Sequence, residues 1–413
     1  MRSSISKKLS LCGFFCIVAA FGVVYIVTAS DGSGFISSDG LEYYRYLTEF
    51  IEEHNFHYSN KYPIGTALCE LPFFLAGCFL SRVFGLDMSN GLAPQFHLLV
   101  GLSGMFYCGL GSVFAYKTAE RLYGQEPAGL SVLFVSLGTF LYVYAAELSS
   151  FSHIYSYAFI SIFVYMVICQ KTDTFIENLA FGAVFGIIFL IRNENIVVGF
   201  LYLLGFEKNR QSALHHYKRV FACRTFIPQA IACFLVLLPQ FLIWHASSGH
   251  YLTYSYGNES FLYLKNPKIL EVLFSDAKGL FIFSPVLLFS VFGLVVLRAT
   301  PAKNYLIALL AVILAKLYLL SSWWGWWLGC GLGTRSFIDI LPIFIFLAAT
   351  FFSWLFERTR SLAVTTRYAV RGFFLLFATL CCIVNLLFYA GQKRGRVSNN
   401  LSNHYELRKA LRL

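Results

Sequence analysis

Charge is what this chain has least of. Asp, Glu, Lys and Arg together make up 13% of its 413 residues, against roughly 25% in an ordinary soluble domain, while 58% are hydrophobic. A water-soluble globule of that composition would have to expose large apolar patches, so that class is excluded. The 11 cysteines include no CxxC pair and no cluster with histidine at ligand spacing, which argues against both a disulfide framework and a structural zinc. Seven of them (Cys12, Cys16, Cys108, Cys169, Cys233, Cys381 and Cys382) sit inside apolar runs. Nor does any RNA- or DNA-binding motif accompany the net charge of +11. The basic residues fall in short loops between apolar runs, which fits cytoplasmic loops and lipid-phosphate contacts and excludes nucleic acid as a partner. There is no internal repeat and no separate soluble domain.

What is present is one apolar run after another, the pattern of an all-α polytopic membrane protein. Met1 to Lys8 precedes an apolar stretch from Leu9 to Ala29. That stretch exceeds the usual signal-peptide core of about 7–15 residues, so it reads as an uncleaved first span with a cytoplasmic N-terminus. Further spans are expected at 95–116, 128–146, 151–169, 175–191, 195–206, 225–246, 279–297, 304–322, 336–356 and 373–389, about eleven in all. The run 67–84 is left out because Glu70 and Pro72 interrupt it, and because it would otherwise turn the most basic loop (Lys208, Arg210, Lys218, Arg219, Arg224) outward. Leu41 to His54 reads as an amphipathic interfacial helix, with Leu41, Tyr44, Leu47 and Ile51 on one face. The expected organisation is one transmembrane catalytic domain over 1–391, with a first outward loop at 30–94, and a short polar tail at 392–413. Loops 147–150, 192–194, 247–278 and 323–335 also face outward.

The outward loops collect the unusual polar and aromatic residues. Asp39 lies in Ser38-Asp-Gly-Leu-Glu42 beside Tyr43 and Tyr44. It fits two roles: a base at the membrane surface, or the N-cap of the following helix with Glu42 reaching back. The stretch from Trp323 to Ser336 packs four tryptophans, four glycines and Arg335 together. Glycine lets backbone approach a ligand, and arginine offers phosphate a forked donor, so Arg335 is the expected phosphate ligand. Asp339, four residues on, is placed to hold that guanidinium if the segment is α-helical. Lys316 either pairs with Asp339, snorkels or serves function. Arg192, Lys61 and Lys278 are further cations for the same phosphate, and His153 is placed to touch the acceptor or the phosphate. Tyr254 and Tyr256 stand in a tyrosine-rich loop suited to stacking on sugar rings.

Taken in order, these motifs resemble the polyprenyl-phosphate-sugar-dependent glycosyltransferases of the GT-C fold. That group includes the protein O-mannosyltransferases and the lipid A aminoarabinose transferases. The resemblance is carried by Ser38-Asp39-Gly40 with Tyr43-Tyr44, Lys61-Tyr62-Pro63 with Gly65, the turn ending at His153, Lys278-Gly-Leu-Phe with Ser284-Pro285, and the Trp/Gly run ending at Arg335. Its motifs are spread over residues 1–345, so it covers most of the chain. It implies that Asp39 is the catalytic base, with Asp31 a second position for that role, and that an interfacial helix follows the first span. It further implies inverting transfer of a sugar from a polyprenyl-phosphate donor to a hydroxyl of a glycan, lipid or protein, on the outer face of a membrane, expected to be the bacterial plasma membrane. No nucleotide sugar is needed. No cofactor is expected, and a divalent metal near Asp39 is the one candidate. The rival readings are a transporter or flippase of a lipid-linked saccharide, and an oligosaccharide ligase or polymerase.

Overall fold

The computed structural model describes residues 34–55, 57–169, 174–205, 210–276, 278–300, 302–329 and 331–394. The expected first span Leu9–Ala29, Asp31 and the tail beyond residue 394 lie outside the described residues. Every regular element among the described residues is helical. In chain order the α-helices are α1 Asp39–Leu47, α2 Gly65–Phe84, α3 Pro94–Tyr123, α4 Gln125–Leu137, α5 Leu141–Ala146, α6 Ser152–Cys169, α7 Phe175–Ile191 and α8 Gly199–Leu204. They continue as α9 Arg210–Val220, α10 Cys223–Ser248, α11 Ile269–Phe274, α12 Leu280–Phe283, α13 Leu288–Val296, α14 Leu306–Ser322, α15 Leu341–Thr359 and α16 Val364–Lys393.

Seven helices among the described residues are long and apolar enough to cross a membrane: α2, α3, α6, α10, α14, α16 and the helix that includes α15. Shorter apolar helices lie at Phe175–Ile191, Asn193–Leu204 and Pro285–Ala299. Two runs that read as single spans are broken. The 128–146 run parts between α4 and α5 at Gly138–Phe140, and the 279–297 run parts at Ser284-Pro285, where proline cannot continue a helix. Burial is uneven. In α15, 89% of the apolar window is enclosed by protein, against 22% in α10 and 28% in α16, so α15 forms the centre and those two form the rim. α15 packs on α13 and α4, while α3 pairs with α6 and α10 with α7.

The run 67–84 differs from its sequence reading in length, since α2 is one continuous helix of 20 residues despite Pro72. Glu70, which argued against an apolar environment, is turned inward and accepts a hydrogen bond from the Tyr155 hydroxyl at 3.0 Å. α2 runs antiparallel along the first half of α3, with the Tyr107 hydroxyl donating to the Cys69 carbonyl at 3.2 Å near the start of α2. Gly65 abuts the backbone of Leu190 and Ile191 at the close of α7, and Ser81 accepts from Gln95 at the opening of α3. A Cβ on Gly65 would come within 2.4 Å of the Leu190 carbonyl carbon, so this close approach requires glycine.

Candidate functional site

The site lies at the end of the bundle where α6 begins, α7 ends and the Trp/Gly segment leads into α15. α1 starts at Asp39 because the backbone turns sharply just before it: Ser38 has φ 51°, a conformation unusual for a residue with a side chain. Ser38 occupies the N-cap and makes no side-chain cap. The capping box is therefore not formed. Glu42 pairs with Arg45 at 3.0 Å instead, and the Asp39 carboxylate is directed away from the helix end. Gly40 is fixed by packing, since a Cβ there would fall 1.8 Å from Ser150 Oγ. Tyr43, Tyr44, Tyr46 and Leu47 form the buried face, while Ile51, expected on it, is exposed.

Arg335 Nη2 donates to Asp39 Oδ2 at 2.6 Å across 296 residues of chain. The guanidinium also lies over the Phe151 ring, 5.3 Å from its centroid. Burial alone would raise the Asp39 carboxyl, but the Arg335 charge and hydrogen bond, the Tyr62 hydroxyl and Lys61 outweigh it and hold the pKa below its ordinary value. Asp39 is therefore ionised at neutral pH. Tyr43 and Tyr62 stack 4.4 Å apart. Burial pushes the Tyr43 hydroxyl up to about 12, so it stays protonated and donates to Ser152 Oγ at 3.0 Å.

Behind this pair lies a second group of charges. Arg192 ends α7 in an extended conformation, and a 3-10 turn over Asn193–Val198 follows, which sets Arg192, Glu194 and Asn195 close together. Arg192 donates to Ser152 Oγ at 3.0 Å and to Glu194 Oε1 at 2.8 Å, and its Nε lies 3.2 Å from Asp339 Oδ2. Lys316 Nζ reaches Glu194 Oε1 (3.0 Å), Asn195 Oδ1 (2.7 Å) and Asp339 Oδ2 (2.8 Å). Asp339 Oδ1 is 2.8 Å from His153 Nδ1. Ser336 Oγ donates to Glu194 Oε1 at 3.0 Å.

Between these groups and the loops 247–278 and 323–335 opens a cavity of about 750 Å³. Its wall includes Asp39, Tyr43, Lys61, Tyr62, Arg192, Glu194, Tyr254, Tyr256, Lys316, Arg335 and Ser336, with Trp244, Trp323, Trp324 and Trp327 toward the rim. Lys61 pairs with Glu259 at 3.2 Å, and Trp324 Nε1 donates to the other Glu259 oxygen at 3.2 Å, which ties the loop 247–278 to the segment between α1 and α2. Among the described residues no three His, Cys, Asp or Glu side chains lie close enough to share a metal ion.

No family model matches the sequence, and neither does any curated protein. The fold does have solved counterparts. It is similar to ArnT from Cupriavidus metallidurans bound to undecaprenyl phosphate, with a TM-score of 0.52 at 13% identity over 93% of this chain and 72% of that one. It is also similar to the oligosaccharyltransferase AglB from Archaeoglobus fulgidus in complex with an inhibitory peptide and a dolichol-phosphate, with a TM-score of 0.58 at 13% identity. The chain has the GT-C fold. It covers 96% of itself but only 57% of AglB in that match, and 97% of itself and 74% of apo ArnT, TM-score 0.51, in another.

Within this GT-C framework most of the candidates meet at one cavity: Asp39, Arg335, Arg192, Lys61, Tyr43, Tyr62, Tyr254 and Tyr256. Three do not. Tyr44 is fully buried, and its hydroxyl donates to the Gly91 carbonyl at 2.8 Å, so it is core. His153 is 1% exposed and stands behind Asp339, out of reach of a ligand. Lys278 is 2% exposed and donates to the Gly331 carbonyl; the phosphate-ligand expectation is corrected to a tether of the glycine segment. Asp339 likewise does not hold Arg335. Residues 335–340 form a 3-10 helix, in which three residues complete a turn, so position i+4 faces away. Glu194, Lys316, Asn195, Ser152 and Ser336 are the site residues that the sequence reading assigned no role or left open. The one signal for them was charge inside otherwise apolar runs, at Lys316 and Glu194.

Proposed function

We propose that this protein is an integral membrane glycosyltransferase that moves a sugar from a polyprenyl-phosphate donor to a hydroxyl acceptor, on the outer face of a plasma membrane. The observation that carries the reading is the Asp39–Arg335 contact inside an aromatic-lined cavity, which sets an ionised carboxylate beside a forked phosphate donor. Likeness to ArnT and AglB, solved with bound lipid phosphates, supports the donor class.

In the proposed reaction Asp39 takes the proton of the acceptor hydroxyl. The oxygen forms its bond to the anomeric carbon as the bond from that carbon to the phosphate oxygen breaks, and the electron pair leaves with the lipid phosphate. One displacement inverts the anomeric centre. Arg335 stabilises the charge that develops on the leaving phosphate, with Arg192 and Lys61 as further cations on the wall. The Tyr43, Tyr62 and Tyr256 rings supply a stacking surface for the sugar. The fold count belongs to this reading: about eleven spans in one domain over 1–391, with α2 in the interface.

The test is transfer by purified protein from polyprenyl-phosphate hexoses to a crude surface glycan. Product of inverted configuration is expected, and absence of product with every hexose, acceptor and added divalent metal would reject the proposal. The likeness to AglB favours a second reading, transfer of a preassembled oligosaccharide. Turnover with a diphosphate-linked oligosaccharide, and none with monophosphate sugars, selects it.

A further inference from the structure

We infer that Glu194 reads the sugar of the lipid-linked donor and so sets which sugar is transferred. The inference rests on the proposed function and goes beyond it to a specificity residue.

Glu194 is set unlike the other charges around it. All three of its donors, Arg192 Nη2, Lys316 Nζ and Ser336 Oγ, converge on Oε1. Among the described residues no side chain or backbone group donates to Oε2. Its side chain is 37% exposed, against 14% for Arg192, 1% for Lys316 and 0% for Asp339. It is thus the one carboxylate of this group that faces the cavity. Three donors hold one oxygen and leave the other without a donor among the described residues, on a side chain that lines the cavity. Asp339 differs: its Oδ2 meets both cations and its Oδ1 meets His153, so both of its oxygens have protein partners.

Position decides what that oxygen meets. Ser336, which donates to Glu194, adjoins Arg335, the proposed phosphate ligand. The sugar ring begins one C–O–P linkage from the phosphate, which brings the donor ring within reach of Glu194. A carboxylate oxygen only accepts, and it accepts strongly from hydroxyls. A sugar presenting an equatorial or axial hydroxyl to Oε2 gains that bond. An epimer or deoxy sugar leaves a part-buried charge without it, and sites built around such a bond discriminate sharply.

The experiment compares binding of undecaprenyl phosphate with binding of undecaprenyl-phosphate hexose, using whichever of the glucosyl, mannosyl and galactosyl lipids binds wild type most tightly. Glu194→Gln is expected to weaken the hexosyl lipid roughly 10- to 100-fold relative to the bare lipid phosphate, the size of one lost charge-assisted hydrogen bond. Glu194→Asp keeps the charge beside Arg192 and Lys316 while withdrawing the oxygen by one methylene, and should show the same split if the glutamine variant fails to fold. Equal weakening of both lipids, or of neither, overturns the inference. So does a raised acceptor KM with donor binding unchanged. Wild type that binds neither lipid rejects the proposed function itself, a result separable from the others.

Discussion

Asp39 and Arg335 meet through a single 2.6 Å contact, and each leaves part of its side chain in the cavity, 30% and 15% exposed. Behind them Asp339, Lys316 and Arg192 are cross-linked through Glu194, Asn195, His153 and Ser152, and hardly any of Asp339 or Lys316 reaches the cavity. Both groups pair acid with base, yet they differ in what holds them. A pair bound through one oxygen at the cavity wall is the easier to open, since one contact is given up and a ligand can replace it. A buried, multiply bonded set is not, because removal of one member strands the remaining charge. The first is therefore suited to exchange partners with a ligand, and the second to hold the helix ends that present it.

Substitutions at three positions test this contrast, taken from the largest effect down. Asp39→Asn keeps the shape and removes the base. Transfer should fall by about 10²- to 10⁴-fold with little change in thermal midpoint, and a variant that keeps wild-type kcat would remove Asp39 from the chemistry. Asp339→Ala should do the reverse at the level of the fold, costing roughly 3–5 kcal/mol as Lys316 and Arg192 lose their shared carboxylate. Denaturation in detergent measures it, and an unchanged midpoint would mean the rear group is not the framework described.

The smallest effect is on pH. Asp39 titrates below its ordinary value, so its share of stability is complete above the unfolded pKa and is lost only as pH falls through the lower folded one. Arg335→Ala removes the leading cause of that depression and leaves burial, which acts upward. The acid limb of the kcat/KM profile should move to higher pH, whereas Arg335→Lys should move it less and lose rate through the missing fork. A limb that stays in place in the alanine variant would deny the coupling.

The front of the site was legible in the sequence because its residues lie next to features that punctuate the chain: Asp-Gly after a long apolar run, Lys-Tyr-Pro, and a glycine cluster before arginine. Each is local. The rear was not, since it depends on two 3-10 turns, at 193–198 and 335–340, whose departure from α geometry changes which residues share a face. With α spacing assumed, Asp339 was matched to Arg335, whereas it serves Lys316, Arg192 and His153. Lys278 was misread for a related reason, since nothing in its neighbours signals that the chain folds back to bring the Gly331 carbonyl to it. The breaks in the 128–146 and 279–297 runs were marked by Gly138 and Pro285, but apolar composition on either side concealed them.

α15 carries one more consequence. The most enclosed helix of the bundle begins directly after Arg335, Ser336 and Asp339, so the three are mounted on its first turns and not on a loop. Heat or detergent that loosens the lipid-facing α10 and α16 should leave this mounting intact until the protein's centre gives way. Inactivation and global melting would then coincide, with no earlier stage in which the folded protein has lost its active-site alignment.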